Sequence, residues 1–270
     1  MAGSEFVYYY YNPSLPAAVV FVVLFGLSGL AHVAQIVHSR TWYFVPFVIG
    51  CIFEAIGYIG RTLSAEEAPN FSKIPYILQS LLLLLGPTFF AASIYMVLAG
   101  IIILQAGHLS VVKPSWLTKV FVTGDVLSFL AQSGGGGMLS NAKSKSAIER
   151  AEWVIVAGLA IQIVFFGFFM LATLIFHTRI HSNPTQASRE LQVPWKKLLY
   201  ILYATSVFIM IRSVFRIVEY IMGRGSELQD KEFWLYVFDA SLMAMTSMLF
   251  NGFHPGRVLR NTANTVKAEA

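Results

Sequence analysis

The sequence predicts an all-α integral membrane protein, a seven-transmembrane helix bundle with the N-terminus outside and the C-terminus in the cytoplasm. Only 12% of the 270 residues are charged and 56% are hydrophobic, whereas soluble domains carry about 25% charged residues. The helix count follows from seven apolar segments of spanning length, at roughly 16–37, 43–63, 75–104, 117–138, 153–176, 196–222 and 232–252. Short links leave no room for a soluble domain. We therefore expect an extracellular segment 1–15, a seven-helix domain 16–254 and a cytoplasmic tail 255–270.

The orientation rests on the basic residues of the loops, because cytoplasmic loops carry an excess of lysine and arginine. With the N-terminus outside, the cytoplasmic segments hold ten basic residues: Arg40, Lys113, Lys119, Arg179, Arg189, Lys196, Lys197, Arg257, Arg260 and Lys267. The external segments hold seven: Arg61, Lys73, Lys143, Lys145, Arg150, Arg224 and Lys231. The net charge of +5 thus indicates membrane orientation, and no nucleic-acid partner is expected.

Segment two contains the first polar helix face, in the stretch EAIGYIGR. Glu54, Tyr58 and Arg61 lie at i, i+4 and i+7, so they project from one side of a helix. Two interpretations of this face stay open. Glu54 either pairs with an arginine of segment six as a structural clamp, or contacts a ligand.

Segment four carries a second polar face, formed by Asp125, Ser128 and Gln132. Gly134–Gly137 follow, and four glycines strongly disfavour a continued helix. We expect either a flexible turn at the outer end of this segment or a backbone that approaches a ligand or a neighbouring helix closely.

Segment six provides the strongest signal, because it is apolar and yet carries Arg212, Arg216 and Glu219. These residues also lie at i, i+4 and i+7 on one helix face. A charge at the centre of a bilayer costs about 3 kcal/mol on insertion scales. All three must therefore face the bundle interior or a water-filled cavity.

Segment seven adds Asp239, so the acids within the spans outnumber the arginines there. Depth counting places most of the charged residues in the outer half of the bundle. It places Glu54 and Arg212 nearer the middle. We predict a polar cavity in the outer half, closed toward the cytoplasm, with these ligand-binding residues: Glu54, Tyr58, Arg61, Asp125, Gln132, Arg212, Arg216, Glu219 and Asp239.

No catalytic residue, metal site or cofactor is expected. His177 and His181 have a spacing that can bind a metal, but no adjacent carboxylate completes a site. No nucleophile elbow appears, and Asp125 with Ser128 does not make a hydrolase. The sequence has no nucleotide-binding motif that would couple it directly to ATP.

Five stretches together resemble one known family: EAIGYIGR (54–61), ASIYM (92–96), FVTGDVLSFLAQSGGGG (121–137), IRSVFRIVEY (211–220) and EFWLYVFDA (232–240). The family is that of the fungal lipid-translocating exporters, or RTA-like proteins, and the likeness runs from Tyr11 to Gly256. The resemblance implies seven spans, an external N-terminus and a location in the plasma membrane or an endomembrane. It also implies the handling of amphipathic lipids or lipid-like toxicants, and it supplies no catalytic set.

Lipid binding and translocation is the function that this sequence predicts. The excess of carboxylates suits the ammonium head of a sphingoid long-chain base or a sterol amine, and the many apolar side chains suit its tail. The partners expected are membrane lipids and one amphipathic ligand; a haem or porphyrin is a minor option that the family suggests. The alternatives are a seven-helix receptor that signals to a cytoplasmic partner and an intramembrane enzyme acting on a lipid.

Overall fold

Seven long helices form the framework of the residues described by the computed structural model, which are 9, 11–105, 114–184, 195–223 and 226–256. No strand occurs within those residues. The helices are α1 (Leu15–Ser39), α2 (Val45–Glu66), α3 (Lys73–Gln105), α4 (Pro114–Ser140), α5 (Lys145–Ser182), α6 (Trp195–Met222) and α7 (Glu232–Gly252). The predicted segments 1–15 and 255–270 lie largely outside the described residues.

Six of these helices are long and apolar enough to cross a membrane, which confirms an integral membrane bundle of helices. They are α1, α2 with its preceding turn, α3, α5, α6 and α7. The exception is α4, in which serines, a glutamine and glycines interrupt the apolar sequence. The seventh span and the orientation of the termini stay predictions.

Neighbouring helices pack in chain order, and α3 lies in the middle of the bundle. Each helix contacts the next one, α7 closes on α1, and α3 additionally contacts α5 and α6. Aromatic contacts join three helices at the centre: the Phe47 ring of α2 stacks on Phe90 of α3 at 4.3 Å and meets Phe250 of α7 edge-on at 5.2 Å. Large apolar side chains cover the outside, with Leu27 and Leu30 of α1 62% and 68% exposed. This inside-out polarity is the one that a lipid solvent requires.

Local sequence signals set several helix ends. Pro16 lies in the first turn of α1, and Pro46 lies in that of α2. Proline is favoured there because the first N–H groups of a helix have no partner within it. α1 ends at Arg40, which takes a left-handed conformation with φ 53°. A short 3₁₀ turn, Trp42–Phe44, then leads into α2.

The glycine run of α4 is helical, so the flexible outer turn expected at Gly134–Gly137 is wrong. The helix continues to Ser140 because packing against α5 overrides the low helix propensity of glycine. A Cβ on Gly135 would lie 2.6 Å from Ile155 Cγ1 and 2.9 Å from the Ala151 carbonyl oxygen of α5. Gly135 therefore lets the two helices approach more closely than any other residue would allow.

A π-helical turn interrupts α7 between its first turn, Glu232–Leu235, and its regular part, Ser241–Gly252. The turn spans Tyr236–Ala240 and contains Asp239, which is 1% exposed. A π turn shifts the helical phase of the residues within it, and such turns are frequent at functional sites. In this chain the shifted segment carries the acid that meets the arginines of α6.

Candidate functional site

Arg212 of α6 forms an ion pair in the bundle interior. Its side chain is fully buried, and its Nε donates a hydrogen bond of 2.7 Å to Asp239 Oδ1 on α7. Its Nη2 donates another, of 2.6 Å, to the carbonyl oxygen of Leu83 on α3. That carbonyl lies four residues before Pro87, which has no N–H to bond it within the helix. Pro87 thus leaves an acceptor for Arg212, and the arginine joins three helices.

Arg216 lies one turn further along α6 and shares the same acid. Its Nη1 donates a bond of 2.8 Å to Glu219 Oε2, and its Nε lies 3.9 Å from Asp239 Oδ2. The latter distance is an ion-pair distance but too long for a hydrogen bond. The guanidinium carbon lies 5.8 Å from the centre of the Tyr220 ring, within cation–π range. Within the described part of the chain, Arg216 Nε therefore remains a buried donor without a hydrogen-bond acceptor.

Arg61 of α2 is the centre of a separate polar cluster, which holds the N-terminal segment against α7. Its Nη2 donates bonds of 2.7 Å to Glu232 Oε1 and of 2.8 Å to the Tyr11 hydroxyl. Its Nε lies 3.1 Å from the Tyr236 hydroxyl. Both oxygens of Glu232 accept from the backbone N–H of Ser14 at 2.9 Å. The carboxylate thus receives an arginine and an amide, and three separate chain segments are joined.

Sequence reasoning gave no role to Glu232, the first residue of segment seven. A usable signal was present: Glu232, Tyr236 and Asp239 repeat the i, i+4, i+7 spacing found in α2 and α6. The regular spacing would have placed Glu232 on the inward face of the last helix.

The prediction that Glu54 pairs with an arginine of α6 as a structural clamp is wrong. Among the described residues Glu54 forms no ion pair, because Asp239 occupies Arg212 instead. Glu54 is 1% exposed and lies against α3, where a Cβ on Gly86 would be 2.5 Å from its Oε1. Gly86 therefore provides the space that the carboxylate fills, and Oε1 has no hydrogen-bond partner among the residues that the structure describes.

Asp125 belongs to a second polar strip, between α4 and its neighbours, away from the arginines. It is 1% exposed, and the Tyr95 hydroxyl of α3 is the polar group beside it. Further along α4, Ser128 Oγ donates to the Gly158 carbonyl oxygen of α5 at 2.7 Å. Gln132 Nε2 donates to Ser128 Oγ at 2.6 Å. This strip joins α4 to α3 and α5 and contains no arginine or lysine.

Tyr58 lies in an aromatic stack. Its ring lies 5.8 Å from Phe25 and 5.3 Å from Phe21 of α1, and it is fully buried. Its hydroxyl has no hydrogen-bond partner in the described part of the chain. The side chain packs α1 against α2.

A cavity of about 100 Å³ lies at the end of the bundle where the N-terminal segment folds over it. We call it the tyrosine cavity, because four tyrosines line it together with three charged side chains and two amides. Its principal lining residues are Tyr9, Tyr11, Tyr76, Gln79, Glu152, Arg216, Glu219, Tyr220 and Gln229.

The nine residues predicted for the site divide into three groups. Arg216 and Glu219 line the tyrosine cavity. Three more contact lining residues: Asp239 faces Arg216, Arg61 bonds Tyr11, and Arg212 bonds the Leu83 carbonyl. The remaining four are not among its described lining residues: Glu54, Tyr58, Asp125 and Gln132.

Tyr9 closes the cavity from the N-terminal side. Its hydroxyl donates to Gln79 Oε1 at 2.9 Å and lies 3.1 Å from Ser64 Oγ. Its ring lies 4.8 Å from Phe71 and 5.4 Å from Tyr76. Burial raises the pKa of the Tyr9 hydroxyl above its ordinary value, so the group stays a donor at neutral pH. Sequence reasoning gave no role to this aromatic N-terminal stretch.

Metal-ligating side chains do not gather in groups of three or more anywhere in the described ranges. His177 lies with its Nδ1 3.2 Å from the Tyr203 hydroxyl, at the opposite end of the bundle from the tyrosine cavity by helix order.

Comparison with known proteins supplies the family. The sequence pattern of the family described as RTA1 like protein matches residues 47–262. Protein RTA1 of Saccharomyces cerevisiae is 34% identical over 93% of this chain and 85% of that protein. Protoporphyrin uptake protein 1 of the same yeast is 32% identical over 92% of each chain.

A more distant yeast relative, sphingoid long-chain base transporter RSB1, is 24% identical over 98% of this chain and 78% of its own length. No solved structure matches the chain. The matches cover the apolar helices as well as the charged motifs, and they confirm the resemblance on which the expectation of a multi-pass membrane protein partly rested. The chain belongs to the RTA1-like protein family.

Proposed function

We propose that this protein binds amphipathic lipids or lipid-like toxicants through the tyrosine cavity and moves them across its membrane. The observation that carries the proposal is the cavity itself. Fixed charges and hydroxyl groups surround a space inside an otherwise apolar bundle. Polar residues within a membrane bundle are costly, and they generally mark a route or a binding site.

The proposal includes a seventh span formed by α4 and an external N-terminus. α4 has 27 residues, which at 1.5 Å per residue is about 40 Å and exceeds a hydrocarbon core of about 30 Å. It packs between α3 and α5, and its outward side is apolar, with Leu127 and Leu130 51% and 60% exposed. Trp116 and Lys119 near its start suit a membrane interface. Seven spans put the termini on opposite sides, and the basic loops then place the tyrosine cavity in the outer half.

The charges of the cavity favour a head group that carries an amine. The Glu219 carboxylate lines the cavity, and a carboxylate is a strong hydrogen-bond and ion-pair acceptor for an ammonium head. The hydroxyl or carboxyl oxygens of the same head would accept from Arg216 Nε, the buried donor that lacks a hydrogen bond. Sphingoid long-chain bases and sterol amines have this chemistry, and a porphyrin would present its carboxylates to Arg216. The names of two relatives, sphingoid long-chain base transporter RSB1 and protoporphyrin uptake protein 1, support these classes.

We place the protein in the plasma membrane, with an endomembrane as the second location, and we assign it transport without a catalytic step. Nothing in the described ion pairs forms a nucleophile and base arrangement of the kind that an acyl-transfer enzyme needs.

The test compares Glu219→Gln with Glu227→Gln in protein reconstituted into liposomes that contain a fluorescent long-chain base. Glu227 is a matched control, since its side chain is 82% exposed and lies on a surface turn near the same end. Wild-type protein and the Glu227 variant should move the base between leaflets. Glu219→Gln should weaken binding about tenfold or more, as expected for a hydrogen bond to a charged group of about 1.5–3 kcal/mol. Gel filtration checks that the variants are folded.

Three results would count against the proposal. Binding without movement, together with a cytoplasmic partner whose affinity changes with the base, would favour the receptor. Product formation from the lipid would favour an enzyme. Equal flux in wild type and Glu219→Gln would remove the tyrosine cavity from the route.

A further inference from the structure

A second cavity, of about 80 Å³, adjoins the tyrosine cavity between α3 and α4. The two share the lining residues Tyr76, Ser80, Leu139 and Tyr220, so Tyr76 and Tyr220 stand at their junction. The chemistry changes across that junction. On the far side the walls are Ile77, Leu81, Leu84 and the backbone of Gly136 and Gly137, without a charged side chain among the described lining.

The apolar cavity reaches the surface of the bundle. Ile77 and Leu81 are half-buried, and Gly137 is exposed. Since the outside of this bundle is covered by large apolar side chains, a cavity that opens there opens to the hydrocarbon of the membrane. The polar and apolar cavities together therefore run from the charged interior to the lipid.

The glycines of α4 keep this space open. A Cβ on Gly136 would meet Leu81 Cδ2 at 3.6 Å, and one on Gly137 would meet nothing within 4 Å. Helix packing thus explains Gly135, which is pressed against α5, but does not require a glycine at 137. Gly137 lines the apolar cavity at an exposed position, so a larger side chain there would lie at the rim of the opening.

We infer that the apolar cavity holds the hydrocarbon tail of the amphipath whose head lies in the tyrosine cavity, and that the tail enters sideways from the membrane between α3 and α4. This inference rests on the proposed function, because it assumes a head group among the charged residues. Each cavity is smaller than the 300 Å³ or more of a pocket that encloses a drug-sized ligand. The head and the first part of the tail fit inside, and the rest of the tail lies against α3 and α4 in lipid.

The apolar cavity between α3 and α4, which we call the arm, selects a ligand by shape. Bilayer hydrocarbon is as apolar as the walls of the arm, so moving a tail from one to the other gains little hydrophobic energy. A single straight chain suits a cavity of about 80 Å³, whereas a bulky substituent would crowd Leu81 and Tyr220, which line it.

The experiment uses sphingosine with a photoactivatable diazirine in its tail, bound to purified protein in nanodiscs, with peptide mapping of the cross-links. In wild type the label should attach within residues 76–84 or 136–140. Gly137→Leu should reduce that labelling at least tenfold. Gly134→Leu is the matched control, because Gly134 also has open space around it but lines neither cavity. It should label as wild type does.

A second pair of variants tests the arm from α3, in case Gly137→Leu does not fold. Leu81→Trp fills the mouth of the arm, and Ile74→Trp, at a position 79% exposed on the same helix, is its control. Leu81→Trp should reduce labelling as Gly137→Leu does, and Ile74→Trp should not.

The outcomes separate the two proposals. If wild-type protein takes up no label above a lipid-only background, the proposed function fails. A second outcome is labelling that depends on Glu219 but maps outside the arm, with equal labelling in Gly137→Leu and Gly134→Leu. In that case the arm does not hold the tail, while the proposed function stands. If the arm is labelled equally in wild type and Glu219→Gln, it holds an ordinary membrane lipid, and the inference is overturned.

Discussion

Replacing Asp239 by Asn tests whether the buried arginine pair holds the bundle together. The Arg212 side chain is fully buried and that of Asp239 is 2% exposed, and their contact is 2.7 Å. Removing one partner of a buried pair costs about 3–5 kcal/mol, because the other charge is left without compensation. The Asn side-chain oxygen can still accept the hydrogen bond from Arg212, so we expect the lower end, about 3 kcal/mol. That loss is about a 100-fold change in the unfolding equilibrium.

Unfolding by SDS in mixed micelles, followed by far-ultraviolet circular dichroism, measures this loss. The control is Glu227→Gln, which removes a carboxylate 3.6 Å from Lys231 at the surface, with both side chains more than half exposed. We expect that change to cost less than about 1 kcal/mol. A loss below about 1 kcal/mol for Asp239→Asn would refute the reasoning, since it would mean that water or another group compensates Arg212.

Two further predictions concern packing and the unpaired acids. Gly135→Leu should abolish folded protein or cost several kcal/mol, because the new side chain overlaps Ile155 of α5; Gly134→Leu should be nearly neutral, and the yield of monodisperse protein compares them. Asp125→Asn should change the free energy of unfolding by less than about 1 kcal/mol, since no arginine or lysine among the described residues pairs with Asp125; SDS unfolding measures this, and a loss as large as that of Asp239→Asn would show a cationic partner.

The inward faces of the helices could be predicted because helical spacing alone determines them. Arg212 and Arg216 are both buried, as the cost of a charge in lipid demands. The partner of Arg212 could not be predicted in the same way. Glu54 was the expected partner and Asp239 is the actual one, and the difference depends on the π turn of α7 and on Gly86, which directs Glu54 toward α3. A π turn has no reliable signal in a single sequence.

The tyrosines that line the cavity were harder to predict than its charged residues. Tyr9 and Tyr11 belong to a segment without apolar periodicity, so nothing in the sequence indicates that it folds back over the bundle. The contact between Tyr11 and Arg61 spans 50 positions, and that between Ser14 and Glu232 spans 218. Such distant contacts follow from how helices pack. The helix through Gly134–Gly137 was mispredicted for the same reason, since contact with α5 outweighs local propensity.

Native mass spectrometry of the gently purified protein tests the central claim most directly, because it shows what the tyrosine cavity retains. The account predicts that wild-type protein keeps one amphipath with an amine in its head group, and that Glu219→Gln loses it while Glu227→Gln keeps it. A wild-type protein that carries no such molecule even after incubation with a long-chain base would contradict the account. The buried charges would then form a structural network only.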